Sequence, residues 1–381
     1  MANSYPIIAG VVGGALILVV LWEAFETIVV PRRVTRTFRL TRLFYRFTWI
    51  AWRGVARSLS NKRKEYLLGF YGPLSLLSLV ALWAVALVFS FGLLHWATGS
   101  GIQGGKSLLH DLYFSGTTFF TLGLGDVAPQ TAIAKALTVL ESAMGFGFLA
   151  LMISYFPVVY QSFSRREEDI TLLDARAGSP PTAGELLRRH ASDHGLEELT
   201  SMLKDWERWS AEVLESHLSY PVLCYYRSQH DNESWLAALA VVLDSCALMM
   251  VGLEGACQRQ AQFTFAIARH AVVDIAQIFY TKPVTDDGNR LPPEELAELR
   301  ASLRKAGIPL VDGPEAEEKL KAIRAMYEPF LISLSRFLEF PLPKWNTSGR
   351  DRDNWQTSAW GRTASLPGRP APRKSEPDEH F

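Results

Sequence analysis

Long apolar runs alternate along this chain with strongly charged stretches, and three of the runs have the length of a membrane crossing. Residues 7–30, 73–96 and 132–160 are each apolar over enough helical turns to span a hydrocarbon core of about 30 Å. The first lacks the small-residue cleavage site of a secretory signal and predicts a transmembrane helix, with an uncleaved anchor as the plainer alternative. Gly72-Pro73 is expected to open the second and Trp96 to close it. A fourth run, Trp235 to Leu253, is interrupted by Asp244 and Ser245. Its alanine content and its mid-run acid predict a core helix of a bundle rather than a crossing.

The stretch between the first two runs is basic. Residues 31–65 carry arginines and lysines from Arg32 to Lys64 against one acid, Glu65, so the positive-inside rule places this loop on the cytoplasmic side. Arg33, Arg36, Arg39 and Arg42 recur every third residue, the spacing of a voltage-sensing helix, but a single crossing precedes them and a sensor needs four helices. On a helical wheel Arg36, Arg39, Arg42 and Arg46 share one side, while Phe38, Phe44, Trp49, Trp52 and Val55 lie mainly on the other. The pattern predicts an amphipathic helix, started by Pro31, lying on the inner leaflet with its arginines near anionic headgroups. Glu23 and Glu26, costly inside hydrocarbon, are expected to pair with Arg32, Arg33 or Arg36. This topology puts the N-terminus outside, returns the third run to the inside at Arg165 and Arg166, and predicts a multi-pass protein of the cell membrane.

Residues 97–131 then form an outward-facing loop carrying a single lysine, Lys106. Thr98 to Gly105 is a polar turret, and Ser107 to Phe120 predicts a short helix reaching half-way into the membrane. The strip Thr121-Leu122-Gly123-Leu124-Gly125-Asp126 follows. Glycines at alternate positions can take φ > 0, which lets a short extended segment turn successive carbonyls toward one axis, as a dehydrated cation requires. The carbonyls of Thr121, Leu122, Gly123 and Leu124 are the candidates. Asp126 either braces the strip or concentrates cations at its mouth.

T-L-G-L-G-D at 121–126, with Thr118 three positions before Thr121, resembles the T-V-G-Y-G-D filter of the potassium channel superfamily, in particular its bacterial members with one pore loop between two membrane helices. The resemblance covers roughly residues 67–160. It implies a homotetramer, since one chain supplies one pore loop, with potassium as the permeant ion and no further cofactor. It also implies that Thr117 and Thr118 end the pore helix and that Tyr113 and Phe114 occupy its aromatic cuff. Leu124 stands where the family has Tyr or Phe and cannot bond to that cuff, so apolar packing is expected to hold the strip. Filters reading G-L-G-D occur in second pores of two-pore-domain potassium channels. A less selective monovalent cation channel is the alternative that Leu124 raises, and a membrane-tethered sensor with a non-conducting loop is another.

The third run is then the pore-lining helix. Gly145 and Gly147 near its middle and Pro157 near its inner end are places to bend or splay during gating, or else small residues for close packing. Glu141 is an intramembrane acid that either faces the pore or braces the back of the filter.

From 167 onward the composition is that of a helical domain. Thr182 and Glu185 form a capping box, and helices are expected near 195–218, 233–256, 260–280, 293–307 and 314–340. The fold class is therefore an all-α membrane protein: an N-terminal transmembrane helix to 30, a basic linker 31–66, a pore domain 67–163, a cytoplasmic helical domain 164–340 and a tail rich in Pro, Gly, Ser and charge over 341–381. Formal charge balances to zero and the three cysteines suit neither a zinc site nor a disulfide framework. His190, Asp193 and His194, and His270 with Asp274, have helical ligand spacing but read as solvated faces, so no metal is expected. No glycine-rich nucleotide loop or catalytic constellation appears, which argues against an enzyme, and nothing suggests a nucleic-acid partner.

Overall fold

A computed structural model describes residues 4–30, 39–191, 195–228, 233–253, 256–284 and 289–346. Arg36, Asp193, His194 and positions 347–381 of the expected tail lie outside the described residues. The described chain is all-α, with one isolated bridge between Ile102 and Pro129. Four of its helices are long and apolar enough to cross a membrane. It divides into two compact units, one formed by the residues up to Arg165 together with Glu215–Arg227, the other by Arg166–Leu214 and the residues from Ser228.

In the first unit, α1 (Ser4–Ala24) ends in a π-helical turn, Phe25–Val29. It is followed by α2 (Leu40–Arg57), α3 (Asn61–Ala97), α4 (Leu108–Phe119) and the first part of α5 (Ala132–Ala177). Close approach fixes how α1 and α3 run. Added Cβ atoms on Gly10 and Gly13 would meet Ala97 and Ser90 respectively, so the two helices are antiparallel. Ile17, Val20 and Ala24 bury against the α3 side chains Leu79, Trp83, Leu87 and Phe91, which makes the first crossing part of the unit's core.

Several expectations change here. The second crossing does not open at Pro73: α3 runs 37 residues from Asn61 with Pro73 inside it. Proline removes one intrahelical bond, to the carbonyl of Gly69, a loss that membrane helices absorb when neighbouring turns are well packed. Tyr71 and Gly72 supply such packing, being buried against Tyr225 and Tyr226. Likewise α2 starts at Leu40 rather than Pro31, because Val30 and Arg39 are both extended. Arg32, Arg33 and Arg36, expected to pair with Glu23 and Glu26, lie outside the described residues, but both acids also have partners within them. Glu23 Oε2 accepts from the backbone amide and the hydroxyl of Thr41 at 3.1 and 2.9 Å, satisfying a donor at the start of α2, and Glu26 pairs with Arg39 at 3.6 Å.

Arg39 is therefore an internal partner of α1 and not a lipid-facing residue; its Nη2 also donates to Thr27. Arg42 is half-buried and Arg46 exposed. The apolar side of α2 is also partly internal. Trp49 packs on Tyr71 with ring centres 4.8 Å apart, and Trp52 Nε1 donates to the Leu67 carbonyl, while Phe47 and Ile50 remain exposed.

Residues 215–227, expected in the helical domain, belong to the first unit. They comprise the end of α7 (Gly195–Ser219) and a 3-10 turn, Pro221–Tyr225. Tyr225 is buried among Tyr45, Trp49 and Tyr71, with centroid distances of 5.8, 5.0 and 5.0 Å. Val222 and Leu223 join Tyr155, Val159 and Phe163 of α5 in one cluster, and Arg227 pairs with Glu65 at 2.7 Å.

In the second unit, α8 (Trp235–Gly252) is the fourth apolar helix, and it is buried almost all round. α6 (Ala183–Arg189), α9 (Ala256–Ile278), α11 (Pro314–Ala325) and α12 (Glu328–Leu338) surround it, with α10 (Pro293–Lys305) packed on α6. Its mid-run acid is accounted for: Asp244 accepts from Arg290 at 2.8 Å and from the Tyr327 hydroxyl at 2.6 Å. The single helix expected over 314–340 is two, interrupted at Met326–Tyr327, because Pro329 has no amide to bond back to Ala325. The Thr182 side chain caps α6, but Glu185 turns to Arg188 and Arg189 instead of completing the box.

Candidate ion-conduction site

The site is built from the turret, α4, the strip 121–126 and the upper half of α5. Ser107 caps α4 by accepting from His110 N, and the 12 residues of the helix rise about 18 Å, more than half of a hydrocarbon core. Contacts along α4 define its direction. Gly92 meets Leu112 and Val88 meets Ser115, so α4 is antiparallel to α3; Glu141 meets Ser115 and Gly145 meets Phe119, so α4 is parallel to α5. Two consecutive helices can be parallel only if the chain between them runs back along their length. The segment 120–131 must therefore return toward the start of α4. It does: Gln103 N donates to Ala128 O at 2.9 Å and Gln130 N to Gly101 O at 2.7 Å, pinning its end to the turret.

Within that returning segment the backbone alternates. Thr121, Gly123 and Gly125 have φ of +55°, +56° and +80°. Carbonyls of an ordinary extended strand point alternately to opposite sides; reversing the sign of φ at every second residue brings them to one side. Glycine takes such angles freely, but a β-branched Thr121 is strained there, by roughly 1–3 kcal/mol. The strain is met by bonds from the helix end: Thr121 N donates to Thr118 O at 3.0 Å and Leu122 N to Thr117 O at 2.8 Å. Thr117 and Thr118 thus hold the inner end of the strip. At the outer end the Tyr113 hydroxyl donates to Asp126 Oδ2 at 2.8 Å. Apolar packing alone does not hold the strip, as Leu124 had led us to expect: the tyrosine bond goes to the aspartate two residues further on. Phe114 is buried against His95, edge to face at 5.2 Å.

Behind α4 lies a set of buried polar groups. Glu141 is fully buried and faces α4, with Ser115 Oγ donating to its Oε1 and His95 Nε2 lying 3.4 Å from its Oε2. Asp111, also fully buried, accepts from Ser100 Oγ at 2.5 Å. His95, Ser100, Asp111 and Ser115 had gone unnoticed in the sequence. Their signal was polar side chains placed at helical spacing beside apolar runs, with partners that only the re-entrant path reveals. Gly145 and Gly147 part company. A Cβ on Gly145 would collide with the Phe119 carbonyl, so Gly145 is a close-packing residue, whereas Gly147 has open space around it. α5 continues through both glycines and through Pro157 as one helix of 46 residues.

Residues 76–162 match a family model described as an ion channel. That match is to an ion channel domain, over this segment and not the whole chain. It takes in most of α3, α4, the strip and α5 as far as Ser162, in agreement with the resemblance to the potassium channel superfamily. Over 267 residues the chain is 22% identical to the uncharacterized membrane protein YdjJ of Bacillus subtilis (strain 168), an alignment covering 68% of this chain and 75% of that protein. No solved structure matches it.

Proposed function

We propose that the protein is a potassium-selective channel in which four copies bring their 121–126 strips around one axis and conduct passively. The observation that carries this reading is the alternation of φ sign at Thr121, Gly123 and Gly125 in a segment that returns between parallel helices. That geometry lines up a column of carbonyls able to replace the hydration shell of an alkali cation. A single column cannot surround an ion, so further copies are needed. Consistent with this, Leu122, Leu124, Phe146, Leu149 and Ile153 leave large apolar surface exposed on the isolated chain.

In this reading the basic residues of α2 face the cytoplasmic leaflet, with Arg46 and Arg57 beside exposed Phe47 and Ile50 favouring anionic lipid. The N-terminus is outside and the second unit is cytoplasmic. A less selective cation channel is the second reading, favoured by the absence of an aromatic residue at 124. Potassium efflux from liposomes reconstituted with the full chain tests conduction. Efflux is expected with the wild type and should vanish with Gly123→Ala, whose Cβ resists φ > 0; equal efflux from both would remove the strip from the pathway.

A further inference from the structure

Ser115 Oγ lies within hydrogen-bond distance of two acceptors, the Val88 carbonyl at 2.7 Å and Glu141 Oε1. A serine hydroxyl has one proton to give, and a carbonyl oxygen can only accept. The two oxygens therefore compete for it. With a proton on Oε2, Glu141 Oε1 is a neutral carbonyl-type acceptor much like Val88 O; with Oε2 bare, Oε1 belongs to a carboxylate, the stronger acceptor, and the Val88 contact is lost as a hydrogen bond. Which contact is favoured depends on one labile proton. The other carboxylate oxygen faces His95 Nε2 at 3.4 Å, an ion-pair distance; the imidazole has no exposed surface, and among the described residues neither ring nitrogen nor that oxygen makes a hydrogen bond, so each is left the other as its nearest polar counterpart. His95 is thus placed to hold that proton or yield it.

We propose that His95 is a positioning residue of the pore helix, sharing one labile proton with Glu141, so that the proton's location sets how Ser115 ties α4 to α3 and α5. The proposal deepens the channel reading and rests on it. Moving the proton from Glu141 Oε2 to His95 Nε2 leaves the pair neutral overall but makes Glu141 a carboxylate, whose Oε1 draws the Ser115 proton away from Val88; releasing it to water leaves a net negative charge behind the filter. The Ser115 bonds lie one helical turn from the Gly145–Phe119 contact, and Phe119 is two residues before Thr121. A change in them therefore reaches the strip through one turn of packed helix. Among the described residues, Asp111 interacts electrostatically with His95 and with His110, and both Asp111 and His110 lie on the pore helix.

The test uses the full-length protein in planar bilayers, with pH varied on each side in turn between about 5 and about 9. Open probability of the wild type is expected to titrate with pH on the turret side. Glu141→Gln should still conduct, with altered open probability that no longer follows pH, and His95→Gln should move the midpoint by roughly one unit or more. A wild-type pH response that survives unchanged in both variants, or a wild type that shows none, overturns the proposal. Infrared difference spectra of the same protein give a readout independent of current: a protonated-carboxyl stretch lost in Glu141→Gln and shifted in His95→Gln supports the shared proton, and its absence at every pH overturns it. No current with that band present would defeat the conduction reading while leaving the shared proton standing.

Discussion

The hydroxyl of Tyr113 reaches across to Asp126 over 2.8 Å, joining the middle of α4 to the outer end of the strip. In a single chain this is the side-chain bond that holds the far side of the alternating backbone, since the inner end is tied by main-chain bonds from Thr117 and Thr118. Tyr113→Phe keeps the ring and removes only that bond. Single-channel recording should show shorter filter openings and weakened preference for potassium over sodium, with assembly unaffected. Unchanged openings would mean that the strip is held by contacts between copies instead.

Gly145 and Gly147 allow packing and hinging to be separated. Gly145→Ala forces a methyl group against the Phe119 carbonyl and should destabilise the pore domain by about 1–3 kcal/mol, read as a lower thermal midpoint in detergent. Gly147→Ala meets nothing within the chain and should leave the midpoint alone. The opposite order would restore Gly145 as a hinge.

Tyr225 seals the 215–227 segment against α2 and α3. Tyr225→Ala removes a buried ring and should cost about 3–5 kcal/mol of that docking. Trypsin cleavage after Arg227, otherwise restrained by its ion pair with Glu65, should quicken. An unchanged digestion rate would contradict the docking.

Glu233 gives the second unit a pH dependence with a definite sign. Burial first, and then the charges of Asp174 and Glu167, raise its carboxyl from 4.5 to about 8. Below the lower value folded and unfolded chains both hold the proton and no penalty arises. As pH rises from 4.5 to about 8 the unfolded chain releases it while the folded chain keeps it, so stability falls through that window and then levels off. Glu233→Gln should flatten this decline in calorimetry of the full-length protein; an identical decline in the variant would assign it elsewhere.

Much of this was legible in the sequence because membrane and helix signals are local. Apolar run length located the crossings, and alternate glycines with their flanking helices located the strip. What was not legible depended on long-range partners. Pro73 could not be read as an interior helix residue without knowing that Tyr225 and Tyr226 pack on the turn beside it. Glu23 and Glu26 were costly acids on paper, and Thr41 and Arg39, which satisfy them, are not distinguishable in advance from the other basic and polar residues of the linker. The role of Glu141 was open between pore and brace until Ser115 and His95 were seen against it. The docking of 215–227 was hidden for a related reason: an ordinary amphipathic helix end carries no mark of which unit it joins.

Reversal potentials in opposing potassium and sodium gradients test the central claim most directly, because they report what the carbonyl column recognises and not merely that ions pass. The wild-type protein should reverse close to the potassium equilibrium potential. Reversal midway between the two cation potentials would mean that the Thr-Leu-Gly-Leu column does not discriminate, and absence of any current from protein verified in the bilayer would contradict conduction itself.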